Sequence, residues 1–197
     1  WADRSTYFGG SAQVQGGKLA GDGGFVEISG KSGLGFNGQF SLEAPQGAAG
    51  TILFDPDSIR IVGGGTAADI ATESALFPNV SAEDEDFGTL TLHAATLESW
   101  NGNDNVIFQA NLNIDIDLGG NNELTFQPGT GSITFVADVN NNSTGSFSMG
   151  GTGDTINTSG RDINISGPLI TLESIDTRSA TGDGDISLTA PFLATVE

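Results

Sequence analysis

The stretch Asp154–Thr189, DTINTSGRDINISGPLITLESIDTRSATGDGDISLT, decides the fold. Its apolar residues come in short beats: Ile156, then Ile163 and Ile165, then Ile170 and Leu172, then Ile175, then Ile186 and Leu188. Within a beat they stand two apart with Asn, Thr or Ser between them, which is the period of a strand with one buried face. Gly, Asn, Asp, Ser and Pro fill the gaps and turn the chain. No helical segment separates the beats, and the strands are too short for long hairpins. Such strands can wind as a parallel coil in which each turn of chain stacks on the last. From Ile163 to Ile186 is 23 residues, the length of one coil of three strands.

The same beat runs through the rest of the chain. It appears at Phe8, Val14, Val26/Ile28, Leu34/Phe36, Phe40/Leu42/Ala44, Ile52/Phe54 and Ile59/Ile61. Asp55-Pro56-Asp57 stops one strand sharply, because proline cannot donate to a ladder. The beat resumes at Leu90/Leu92, Val106/Phe108 and Leu112/Ile114/Ile116/Leu118, then at Leu124/Phe126, Ile133/Phe135 and Phe147/Met149. Asn140-Asn141-Asn142 reads as an exposed corner whose amides can ladder. ATLESW, residues 95–100, reads as a helical turn with Trp100 laid over the apolar end of a neighbouring coil. Residues 63–88, GGGTAADIATESALFPNVSAEDEDFG, break the beat. They read as an insertion holding a short helix, stopped before Pro78, and an acidic loop.

Composition bounds the function. The 197 residues carry 25 Asp and Glu against 6 Lys and Arg, a net charge of −19. Nucleic acid and anionic membrane are therefore poor partners. Glycine is abundant, 30 residues, and cysteine is absent, so no disulfide frame or thiol chemistry is available. Acidic, cysteine-free and rich in Gly, Asn and Thr is a common composition for large exported bacterial surface proteins. No apolar run reaches the length of a membrane span. No basic and apolar signal segment opens the chain, Trp1 begins it abruptly, and PFLATV runs strand-like to its end. The sequence thus reads as a piece of a longer protein.

Specific strings carry a resemblance over about residues 1–118. They are Trp1-Ala2-Asp3, Tyr7-Phe8-Gly9-Gly10, GDGGFVEISGK (21–31), Leu42-Glu43-Ala44-Pro45, GTILFDPDSIRI (50–61) and TLTLHAATLESWNGNDNVIFQANLNIDI (89–116). In these the chain resembles the haemagglutinin-type, filamentous haemagglutinin-like secreted exoproteins of two-partner secretion. The resemblance implies a right-handed parallel β-helix acting as an adhesin or cell-contact shaft on the bacterial surface. It implies an outer-membrane secretion pore as partner of the parent protein, and brings no catalytic residue with it. The module which that pore recognises is not visible in this sequence.

Candidate chemistry is sparse. GGTGDTI, residues 150–156, resembles a calcium nonapeptide but is one residue short and does not recur, so a plain turn is the reading adopted. Asp183/Asp185 and Asp115/Asp117 are oxygen-bearing candidates for calcium; Asp183 and Asp185 are the pair singled out. Against them stands the plain reading of a solvated acidic face, and no metal site is assigned. His93 is the only histidine and falls on an outward strand position, so it reads as a solvent-facing strand residue. No G-x-S-x-G elbow is present, and the six basic residues, Arg4, Lys18, Lys31, Arg60, Arg161 and Arg178, are scattered. Two carboxylates at a suitable spacing remain open as a glycoside-cleaving pair. Trp1, Tyr7 and Trp100 are the aromatics that could stack on sugar.

The expected architecture is all-β: one right-handed parallel β-helix segment over residues 1–197 of about eight to ten coils, roughly 40–50 Å long. The expected function is a non-catalytic shaft in a secreted, surface-exposed, adhesin- or filament-like protein. Its ends would expose strand edges and apolar column, favouring end-to-end self-association around Trp1 and Phe192-Leu193. A cell-surface glycan or protein is the other expected partner, and a glycan-binding or glycan-cleaving β-helix is the alternative.

Overall fold

The computed structural model describes residues 5–30, 33–64 and 88–191, with the backbone of 195–196. It is a parallel β-helix. Every strand pair is parallel, and strands far apart in sequence are neighbours in space. One face stacks β3 (Phe25–Gly30), β6 (Thr51–Pro56), β9 (Asn105–Gln109), β12 (Ile133–Val136), β15 (Ile163–Ser166) and β18 (Ile186–Thr189), in that order. Its inward column is in strict register. Val26, Ile52, Val106, Ile133, Ile163 and Ile186 lie above one another, and beside them run Ile28, Phe54, Phe108, Phe135, Ile165 and Leu188. Ile163 therefore meets Ile186 across one 23-residue coil, as the spacing predicts.

The second face holds β7 (Ser58–Val62), β8 (Thr89–His93), β10 (Ile114–Asp117), β13 (Phe147–Met149), β16 (Ile170–Leu172) and β19 (Thr195–Val196). The third holds β11 (Glu123–Thr125), β14 (Thr155–Asn157) and β17 (Ser174–Asp176). The opening coils pair β1 (Ser5–Phe8) with β4 (Gly33–Phe36), and β2 (Ser11–Gln13) with β5 (Gln39–Ser41). The period-two pattern puts Ile, Leu and Phe inside on all three faces, and stacked rings fill the centre. Phe54, Phe108 and Phe135 stack at centroid spacings of 5.8 and 5.0 Å. Trp100 lies flat on Phe54 at 5.5 Å and edge-on to Phe40 at 5.0 Å, so it covers core, as its place after ATLESW suggests. Buried rings of this kind dominate the stabilisation of such a column.

Strand order breaks at one level. The chain leaves β7 at Val62, and β8 returns on the side of β7 away from β10, register-paired through Ile59 with Leu90 and Ile61 with Leu92. There it lies against β4. The helix α1 (Ala94–Glu98) follows and takes the third face beneath β11. Glu98 holds it there: its carboxylate accepts the Thr125 N–H at 3.0 Å, and its carbonyl accepts the Gln127 amide at 2.7 Å. The expected insertion spans 63–88, of which 65–87, with its short helix and acidic loop, lie outside the described residues.

Two expectations are corrected. Among the described residues the first face holds six levels, roughly 24 Å of stack at about 4.8 Å per strand, short of the eight to ten coils expected. The excursion after β7 takes up a coil's worth of residues: Ile52 and Val106 are 54 apart, whereas Val106 and Ile133 are 27 apart. Leu112 also leaves the alternating run expected of it. β10 begins at Ile114, and Leu112 sits at the corner before it, 39% exposed.

Candidate functional site

The coil corners hold the polar chemistry, and three of them are informative. At the first, residues 176–185 form an exposed turn. Arg178 is paired with Asp176 at 2.6 Å, and the guanidinium and the Arg178 amide together hold the Asp176 carboxyl down at about 2. Asp183 accepts the Ser179 N–H at 3.1 Å, closing the turn. Asp185 stacks in register over Asp162, whose carboxylate accepts the Asp185 N–H at 2.8 Å. The Asp183 carboxylate thus closes the turn, whereas Asp185 joins the coil below through its backbone N–H. Among the described residues no group of three or more His, Cys, Asp or Glu could hold a metal ion.

At the second corner, the Asp154 of GGTGDTI faces inward. It is fully buried and accepts the Leu118 N–H at 2.7 Å and the Asn122 N–H at 3.1 Å from the coil below. A carboxylate so engaged is a cap for otherwise orphaned amides, which is a turn's role. Asp115 lies on the outward side of β10 and accepts the Ser148 hydroxyl. Asn140 donates to the Asn111 carbonyl at 3.3 Å, so the Asn corner ladders side chain to backbone.

The third corner escaped the sequence reading. Two residues before each inward column member of the first face stand Gly24, Gly50, Asp104, Gly131, Arg161 and Gly184. Glycine fits because the stack is tight here: a Cβ on Gly131 would lie 2.2 Å from the Asp104 carbonyl oxygen. Asp104 and Arg161 are the exceptions, at 0% and 2% exposed. The Arg161 side chain crosses the space over Gly131 and reaches two coils down. Its Nε donates to the Gly131 carbonyl at 2.8 Å and its Nη2 to the Asp104 carbonyl at 2.9 Å. The guanidinium lies 5.6 Å from the Phe126 ring centroid. Burial lowers its pKa to about 10, against the pull of Asp104. The glycine column, with its two charged interruptions, is the signal that marks this corner.

Asp55, at the end of β6, is a further perturbed carboxyl. Burial raises it, the Gln109 side chain holds it back, and Glu27 and Asp57 add to the rise.

A shallow open depression of about 370 Å³ lies where β7 and α1 meet the 118–123 corner. Glu98 and Glu123 line it. Glu98 is tied to the Thr125 amide, and Glu123 accepts the Thr125 hydroxyl and the Asn157 amide, both at 2.8 Å. His93 ends β8 on its outward-facing set, but it is half-buried with both ring nitrogens shielded, not the solvent-facing residue expected. Tyr7 is 43% exposed, while Trp100, the other described candidate for sugar stacking, is buried. Trp1, Arg4, Lys31, Phe192 and Leu193 lie outside the described residues.

The last coil differs from all of these. Ile186 and Leu188 occupy inward column positions, yet are 47% and 40% exposed, because no described strand lies above β18. No family model, curated protein or solved structure matches the chain.

Proposed function

We propose that this chain is a non-catalytic shaft segment of a secreted, surface-exposed, adhesin- or filament-like protein, with neither metal nor cofactor. The observation that carries the reading is the apolar column in register through six levels, whose corner carboxylates are largely occupied in holding one coil to the next. Such a one-dimensional array gains length by adding coils and needs no active site to be useful. The resemblance in residues 1–118 points the same way, toward export through an outer-membrane pore and display at the cell surface, where a glycan or protein of a neighbouring cell would be met. The exposed Ile186 and Leu188 of β18 offer an apolar edge on which coil from a second copy would stack.

The depression between Glu98 and Glu123 favours a second reading, a glycan-cleaving β-helix. Incubating the pure protein with acidic and neutral polysaccharides separates the two. The shaft reading expects no new reducing ends and no unsaturated products. Release of either, abolished by Glu98→Gln or Glu123→Gln, would establish the second reading instead.

A further inference from the structure

Asp104 stands apart from every other buried carboxylate described above. Asp154 is likewise fully buried, but its oxygens receive two amides. Neither carboxyl oxygen of Asp104 has a hydrogen-bond partner within normal geometry. The guanidinium that could pair with it, Arg161, gives its bonds to main-chain carbonyls, including the carbonyl of Asp104 itself. On the other side lie Leu42, whose amide draws the carboxyl down weakly, and Glu43, whose negative charge opposes ionisation. Asn101, in the turn that leads into Asp104, holds the Glu43 carboxylate at 2.8 Å. A neutral carboxyl tolerates this buried setting, whereas ionisation there places a charge with no protein donor of normal geometry on either oxygen.

We propose that Asp104 is a pH-sensitive joint in the stack, closed when its carboxyl is neutral and loosened when it ionises, at the level where the coil carrying Leu42 meets the coil carrying Asp104. Burial first, then Glu43, raises its pKa from 3.8 to about 6, with Arg161 and the Leu42 amide pulling the other way. The sign follows from the folded value lying above the unfolded one. Between about pH 4 and pH 6 the folded chain holds a proton that the unfolded chain has released, so stability falls as pH rises through that window. Above it the loss is complete.

The whole chain's charge of −19 also disfavours the compact state at higher pH, so the test is a difference between proteins. Denaturant unfolding of the wild type and Asp104→Asn is followed from pH 4.5 to 7.5 in 0.5 M salt. The wild type's folded-to-unfolded ratio should fall about 10- to 100-fold more than the variant's over that range. Exchange of the Leu42 and Gly131 amides, corrected for intrinsic rate, should speed up with pH in the wild type alone. Glu43→Gln keeps the test alive if Asp104→Asn does not fold: its transition should move to lower pH and shrink, because the folded value then lies closer to the unfolded one. Parallel pH profiles for wild type and Asp104→Asn, or for wild type and Glu43→Gln, would overturn the proposal.

Discussion

Ile163 and Ile186 are the same position in successive coils, paired in register, with the same side chain and the same inward direction. One is 0% exposed and the other 47%. Ile165 and Leu188, the next inward pair, differ in side chain but show the same contrast, at 1% and 40%. Register and inward direction are shared within each pair; what differs is whether a described strand lies above. In a stacked array a coil's stability is set by its neighbours, so a residue's worth depends on its level as much as on its identity. The middle of this molecule is packed like any protein interior, while its last coil is half a contact.

Substitutions along the column should grade accordingly. Phe108, between Phe54 and Phe135 and beside Trp100, has the most to lose: Phe108→Ala should cost about 3–5 kcal/mol by denaturant unfolding. A cost under about 1 kcal/mol would mean that the rings do not carry the stack. Ile163→Ala should cost about 2–5 kcal/mol, whereas Ile186→Ala, already half in water, should cost under about 1 kcal/mol. Equal costs at the two positions would show that something covers β18 in solution.

The strands were legible because the period-two beat is local. The 23-residue coil was legible because Ile163 and Ile186 begin identical beats, and the turn at α1 because ATLESW alternates differently from its flanks. The level at which each strand sits was not. Leu90 and Leu92 carry the same beat as Ile114 and Ile116, and only tertiary packing puts β8 on the far side of β7. The Asp104–Arg161 corner was hidden for a related reason. Ser159-Gly160-Arg161-Asp162 looks like any solvated turn, and Arg161 acquires its meaning from Asp104, 57 residues earlier and two coils below. The glycine at 131, which leaves the room, is informative only once the coils are aligned.

In the proposed shaft the exposed edge of β18 accepts another copy, restrained by negative charge. Light scattering against concentration and ionic strength tests this most directly, on the wild type and on Leu188→Lys. The mean mass should rise with concentration and rise further with added salt, because screening weakens the repulsion between acidic copies. Leu188→Lys, which puts a charge into the exposed column, should remain a monomer under the same conditions. A wild type that is strictly monomeric at high concentration and high salt would contradict the proposed stacking.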